Sequence, residues 1–158
     1  MEDDQLRVKS HLQVETNLKA LTEVLQWFET LTQPLLPYEL WWQCQVALTE
    51  GFTNAVRHAH QHLAETTPIE LEVTLFSHQI EMRIWDRGTP FNLEEKLESI
   101  LKQHGDPLEG EGGRGLMFMH KLTDELDYIR TADHRNCLVM RKKITVTGVA
   151  SEELRPKH

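Results

Sequence analysis

Cysteine is nearly absent. Cys44 and Cys137 are the only two in 158 residues, and both sit in apolar surroundings. No disulfide framework can be built from them, and such usage fits a reducing compartment. No stretch reaches the ~18 apolar residues that a membrane span needs. Positive charge is in deficit: 17 Lys and Arg stand against 25 Asp and Glu, a formal net charge of -8. A nucleic-acid backbone is therefore a poor partner, although a compact ligand held by local groups stays open. The opening Met1-Glu2-Asp3-Asp4 is acidic and no apolar run follows it, so no secretion signal is expected. Internal repeats and low-complexity tracts are missing, as is the Gly-Lys-Ser/Thr of a P-loop. These absences predict a soluble cytoplasmic protein, with one domain over residues 1–147 and a polar, frayed tail over 148–158.

The patterning supports that domain. A chain of this length buries roughly two-thirds of its unfolded surface, enough for one core without staples. Leu6 and Val8 alternate with polar neighbours and predict a short strand. Asn17 is placed to cap a helix with Leu18, Leu21, Leu25 and Phe28 on one face. After Pro34, Pro37 suits the first turn of a long second helix. Its stripe of Leu40, Cys44, Ala47, Leu48, Gly51, Ala55 and Ala59 predicts an end near Pro68. Ile69 to Leu75 and Ile80 to Ile84 alternate as strands around a Ser77-His78-Gln79 turn. Asn92 with Glu95 resembles a capping box for a short helix carrying Leu93, Leu97, Ile100 and Leu101. A helix over Leu116 to Leu126 follows, then a hairpin of Leu126 to Thr131 and Asn136 to Ile144. Strands in hairpins with helices between them predict an α+β two-layer sandwich, its antiparallel or mixed sheet covered by helices on one face.

Three pieces carry chemistry. Glu50 and Asn54 lie four apart, so one helix face presents both. An amide oxygen is a hard ligand suited to magnesium, and a carboxylate one turn away can orient a water or take a proton from a hydroxyl. Asp86 closes a strand and can only accept hydrogen bonds when ionised, for example from the exocyclic amine of adenine. Gly88 would let a flat ring approach the backbone. Gly110-Glu111-Gly112-Gly113-Arg114-Gly115 then leads into an apolar helix, where free N–H groups and the helix dipole favour an anion such as phosphate. Taken singly, each piece has a plainer reading: a solvated helix pair, an Asp-x-Gly turn, a flexible linker.

In order and spacing, "ALTEGFTNAVRHAH", "IWDRGTPFNLEE" and "GEGGRGLMFMHKLTDELDY" resemble the GHKL ATPase superfamily. Within it they are most similar to the bacterial anti-sigma-factor serine/threonine kinases. The resemblance spans Ala47 to Tyr128 and implies a Bergerat-type pocket for ATP and magnesium. It makes Asn54 the magnesium ligand, Glu50 the general base and Asp86 the adenine-binding residue, with Gly88 beside the ring. Gly113, Arg114 and Gly115 fall at the phosphates, and Thr89 to Gly112 forms the lid. It also implies a STAS-type anti-anti-sigma substrate, a sigma factor held in turn, and a homodimer. One departure is Thr89-Pro90-Phe91, where many superfamily members have a second glycine; it shifts the subfamily more than the fold.

Rival readings differ in class. A sensor histidine kinase would share the pocket, but the residues before Pro37 leave no room for a phosphoacceptor-helix domain. A catalytically weak ATP-binding interaction module stays open, although both Glu50 and Asn54 are retained. His58 and His62 share a helix face as two zinc ligands can, yet no third ligand lies at familiar spacing. His58 falls in the middle of the apolar stripe and reads as a hydrogen-bonded core residue. Trp41 and Trp42 are adjacent, so one packs and the other is exposed.

Overall fold

The computed structural model describes residues 4–102 and 113–144. Period-two apolar patterning drives five strands into one antiparallel sheet: β1 (Leu6–Glu15), β2 (Pro68–Phe76), β3 (Gln79–Asp86), β4 (Glu125–Arg130) and β5 (Asn136–Lys143). The spatial order is β1-β2-β3-β5-β4. Ile69, Leu71, Val73 and Leu75 of β2 alternate inward with Ile80, Met82 and Ile84 of β3 and with Leu138 and Met140 of β5. These side chains meet Val24 and Phe28 of α1 (Leu21–Thr32) and Ala47, Leu48 and Phe52 of α2 (Tyr38–Asn54) in one core. Truncating Phe28 or Phe52 to Ala would cost about 3–5 kcal/mol at such fully buried sites. The layers and the antiparallel sheet agree with the sandwich expected from the sequence.

Several boundaries differ, each for a local reason. The first strand runs ten residues, because β1 pairs with β2 from Leu6 to Glu15 although its outer face is polar. Asn17 caps a 3-10 turn at Leu18–Ala20 by accepting from Lys19 N–H at 2.8 Å, and α1 begins only at Leu21. Val24, one residue before the expected Leu25, therefore takes the fully buried position, and Leu18 stays exposed. Asn92 accepts from Glu95 N–H at 3.0 Å and starts α3 (Leu93–Lys102) as expected, but Leu101 faces solvent. The fourth helix, α4, spans Gly113–Leu122, shorter at its C-terminus than the apolar run suggested because β4 has begun by Glu125. Trp41 packs while Trp42 is exposed, as adjacency required. The expected tail over 148–158 lies outside the described residues. No helix among those described is long and apolar enough to cross a membrane.

The largest correction concerns α2. It does not run on to Pro68. Past Asn54 the chain makes a π-helical turn over Ala55–Ala59, with His60 N–H donating to Ala55 O at 2.9 Å. The wider turn inserts one residue relative to the 3.6 period, a local change found often at functional sites. It rotates the apolar stripe, so that His60, not His58, becomes the buried hydrogen-bonded histidine, with 2% of its surface exposed. His58 is left half-buried.

Candidate nucleotide-binding cleft

Between the C-terminal half of α2, the π-helical turn and the ends of β3, β4 and β5 lies a cleft of about 220 Å³. Asn54 reaches it from α2, Asp86 from β3, Leu116 from α4 and Tyr128 from β4. Ile84, Leu138 and Met119 give it an apolar floor, and Phe91 and Lys96 stand at its edge. Gly51 lets the sheet approach α2 here: a Cβ on it would sit 2.7 Å from Ile84 Cδ1.

Glu50 and Asn54 are brought together with α4. A Cβ on the buried Gly115 would lie 2.8 Å from Glu50 Oε1 and 3.3 Å from Asn54 Oδ1. The two helix oxygens and the first turn of α4 thus enclose a small space that only glycine leaves open. One amide oxygen beside a carboxylate fits a hard divalent ion that keeps most of its ligands as water and substrate oxygens. Among the described residues no group of three or more His, Cys, Asp or Glu could hold a metal by itself. Gly113 is the first residue of α4, and Arg114 is exposed with its guanidinium 5.7 Å from the centre of the Phe118 ring. Gly110 and Gly112, and the expected lid beyond Lys102, lie outside the described residues.

Asp86 is buried, 6% exposed, and its carboxylate is divided between two tasks. Oδ1 accepts from Gly88 N–H and from Asn136 Nδ2–H, both at 2.8 Å. Oδ2 takes no hydrogen bond from a described residue and remains an acceptor for whatever fills the cleft. Asn136, fully buried, also donates to Gly88 O at 2.8 Å and accepts from Arg130 Nη1 at 3.0 Å. It therefore clamps both ends of the Asp86–Gly88 turn. Gly88 itself lines the groove next to the cleft, and its missing Cβ would meet Ala59 O at 2.2 Å. The close approach it permits in this structure is to the π-helical turn of its own chain.

His60 supports the same turn from behind. Arg87 N–H can only donate, so His60 Nε2, at 2.8 Å, must accept. The ring proton then sits on Nδ1 and donates to Thr16 Oγ1 at 2.8 Å, and the Thr16 hydroxyl donates onward to Thr67 O at 2.6 Å. Burial lowers the His60 pKa below its ordinary value; Asp86 opposes this and Arg87 adds to it. The imidazole is held in one tautomer between Arg87 on one side and Thr16, itself tied to Thr67, on the other.

Sequence reasoning missed Asn136, His60 and Tyr128. Tyr128 had a usable signal, since Leu126 and Tyr128 alternate with exposed neighbours along β4. Asn136 faces Asp86 only through the β3–β5 register, a pairing across fifty residues. His58 lines the cleft, whereas His62 is exposed beside it in the adjoining groove.

Comparison with known proteins places this geometry. A family model described as a histidine kinase-like ATPase domain matches residues 14–142. The Serine-protein kinase RsbW of Oceanobacillus iheyensis is 31% identical over 120 residues, covering 74% of this chain and 71% of the relative. That of Bacillus licheniformis is 29% identical over 85 residues, covering 52% of this chain and 53% of the relative. That of Staphylococcus epidermidis is 34% identical over 86 residues, covering 52% and 54%. Against the last two, the chain spans about half the length of the relative. The family match runs from β1 into β5 and so takes in every element that lines the cleft. The chain belongs to the histidine kinase-like ATPase domain family, the GHKL-type fold that its sequence motifs resembled.

Proposed function

We propose that the chain is an ATP- and magnesium-dependent serine/threonine protein kinase. In this reading it acts as an anti-sigma regulatory factor in partner switching and phosphorylates a STAS-type antagonist. The observation that carries the proposal is that Asn54 and Asp86 line one cleft with Gly115 packed beside Asn54, although sixty residues of chain separate Asn54 from Gly115. Relatives named as serine-protein kinases add weight to phosphoryl transfer over other uses of the pocket.

The residues divide the work as follows. Asp86 Oδ2 accepts from the purine amine, and Gly88 and Asn136 hold that carboxylate in place. The apolar floor takes the ring. The N-terminal turn of α4, with Gly113, Arg114 and Gly115, offers N–H groups and positive charge to the phosphates. Asn54 would hold the magnesium, which would supply positive charge beside the phosphates. Glu50 accepts the proton of the acceptor hydroxyl as that oxygen attacks the terminal phosphorus and ADP leaves. A cytoplasmic homodimer that also holds a sigma factor completes the reading.

The experiment is transfer of labelled phosphate from ATP to a STAS-type protein recovered with the chain from its native cell. Asn54→Ala should abolish magnesium-dependent nucleotide binding with the fold intact. Glu50→Ala should keep binding and lose transfer. Normal transfer in Glu50→Ala removes it as the base. Recovery of the partner with no transfer by the wild type replaces the kinase with a module that regulates by binding alone.

A further inference from the structure

Tyr128 reaches the cleft from β4, in the outermost position of the sheet beyond β5. Its ring lies against Phe91, centroids 4.5 Å apart, and the Lys96 ammonium stands 5.4 Å from the Phe91 ring centre on the cleft's edge. The Tyr128 hydroxyl is shielded from solvent and makes no hydrogen bond of ordinary geometry; the Phe91 backbone gives it at most a weak, poorly aligned contact. A shielded hydroxyl without a partner is costly, and native structures keep one where a ligand or water completes it. Burial, and after it the negative charge of Asp86, push the Tyr128 pKa above its ordinary value, so the group stays a donor.

The cleft therefore holds a matched pair. Asp86 Oδ2 is an acceptor in need of a donor, and the Tyr128 hydroxyl is a donor in need of an acceptor. A 6-aminopurine presents an amine between ring nitrogens that accept, whereas a 6-oxopurine presents a carbonyl oxygen where the amine would be. The first pattern satisfies both protein groups. The second sets an oxygen against the Asp86 carboxylate. Resting on the reading of this cleft as a nucleotide site, we propose that Tyr128 is a base-reading residue: its hydroxyl donates to a ring nitrogen of adenine while Asp86 accepts from the exocyclic amine. Phe91, 42% exposed, lies against the Tyr128 ring at the edge of the cleft.

The test is calorimetric titration of wild type and Tyr128→Phe with magnesium and ATP, GTP, 1-deaza-ATP or 7-deaza-ATP. Tyr128→Phe should weaken ATP roughly three- to tenfold, the range of one neutral hydrogen bond. One deaza analogue should bind wild type weaker by a similar factor and show no further loss in the variant. Without nucleotide, Tyr128→Phe should melt no lower than wild type, since only an unpartnered hydroxyl is gone; a merely structural tyrosine would show the reverse. Equal ATP affinity in both proteins overturns the proposal. So does a pair of analogues that wild type binds as tightly as ATP, a result that needs no variant to fold. Failure of wild type to bind any nucleotide is a separate outcome and sinks the nucleotide site with it.

Discussion

The His60 network converts pH into stability, and its sign follows from the hydrogen bonds. Nε2 accepts from Arg87 N–H, so a proton there would oppose a donor already in place. The ring is almost wholly out of solvent, and its folded pKa lies below the ordinary 6.5. In the unfolded chain the same imidazole titrates near 6.5. Between the two values the unfolded state binds the extra proton, so stability is full above about pH 6.5 and falls as pH drops through it. While the folded ring stays neutral the slope approaches about 1.4 kcal/mol per pH unit, so going from pH 8 to pH 5.5 should lower stability, with about 1.4 kcal/mol as the ceiling from this residue alone. The assay is urea denaturation of wild type and His60→Gln at both pH values. Gln retains an acceptor for Arg87 N–H but does not titrate, so the difference between the two pH dependences isolates His60 from the other eight histidines. Parallel profiles for the two proteins would refute the neutral-ring argument. His60→Ala should be worse at every pH: it strands Arg87 N–H at a cost of roughly 1–3 kcal/mol, while the Thr16 hydroxyl loses one partner and keeps Thr67 O.

Four other substitutions probe the cleft and its supports. Gly115→Ala puts a methyl group 2.8 Å from Glu50 Oε1, a flexible side-chain end that can yield; the fold should persist while calorimetry shows ATP affinity at least ~10-fold weaker, about 1.4 kcal/mol. Gly88→Ala meets the Ala59 carbonyl, which is backbone and cannot swing aside, so thermal denaturation should show a loss of about 2–3 kcal/mol, the upper part of the overpacking range. Asn136→Ala releases Asp86 Oδ1 and Gly88 O together; urea unfolding should show a cost of roughly 1–3 kcal/mol, with nucleotide binding weakened alongside. His134 holds φ 66° in the β4–β5 hairpin, so His134→Gly should raise stability by about 0.5–1 kcal/mol in the same assay.

What could be read from the sequence was whatever a short window contains. The β2–β3 and β4–β5 hairpins, the Asn92 cap and the Glu50–Asn54 face all rest on residues within a few positions of one another, and the structure keeps them. The apolar stripe of α2 was legible up to Asn54 and misleading after it. Every residue past Asn54 inherits a phase error from the π-helical turn, and no local pattern in Ala55–Ala59 announces a five-residue repeat. That single insertion exchanges the roles of His58 and His60, so the error falls on the residue that accepts from Arg87 N–H beside Asp86.

Asn136 was hidden for a different reason. It begins a strand correctly inferred, but its partner across the sheet is Asp86, and β3–β5 register depends on how the intervening helices let the chain return. Side chains that touch a ligand can be found by type and spacing, because chemistry restricts both. Side chains that hold those groups in place are chosen by geometry alone. An amide on β5 and an imidazole just past the π-helical turn hold the turn at Asp86, and a threonine hydroxyl at the end of β1 holds the imidazole, so three distant parts of the sequence meet there. Such a shell is fixed only once the sheet has closed. It follows that family likeness can identify Asp86 long before any sequence argument identifies what makes its Oδ1 unavailable and its Oδ2 free.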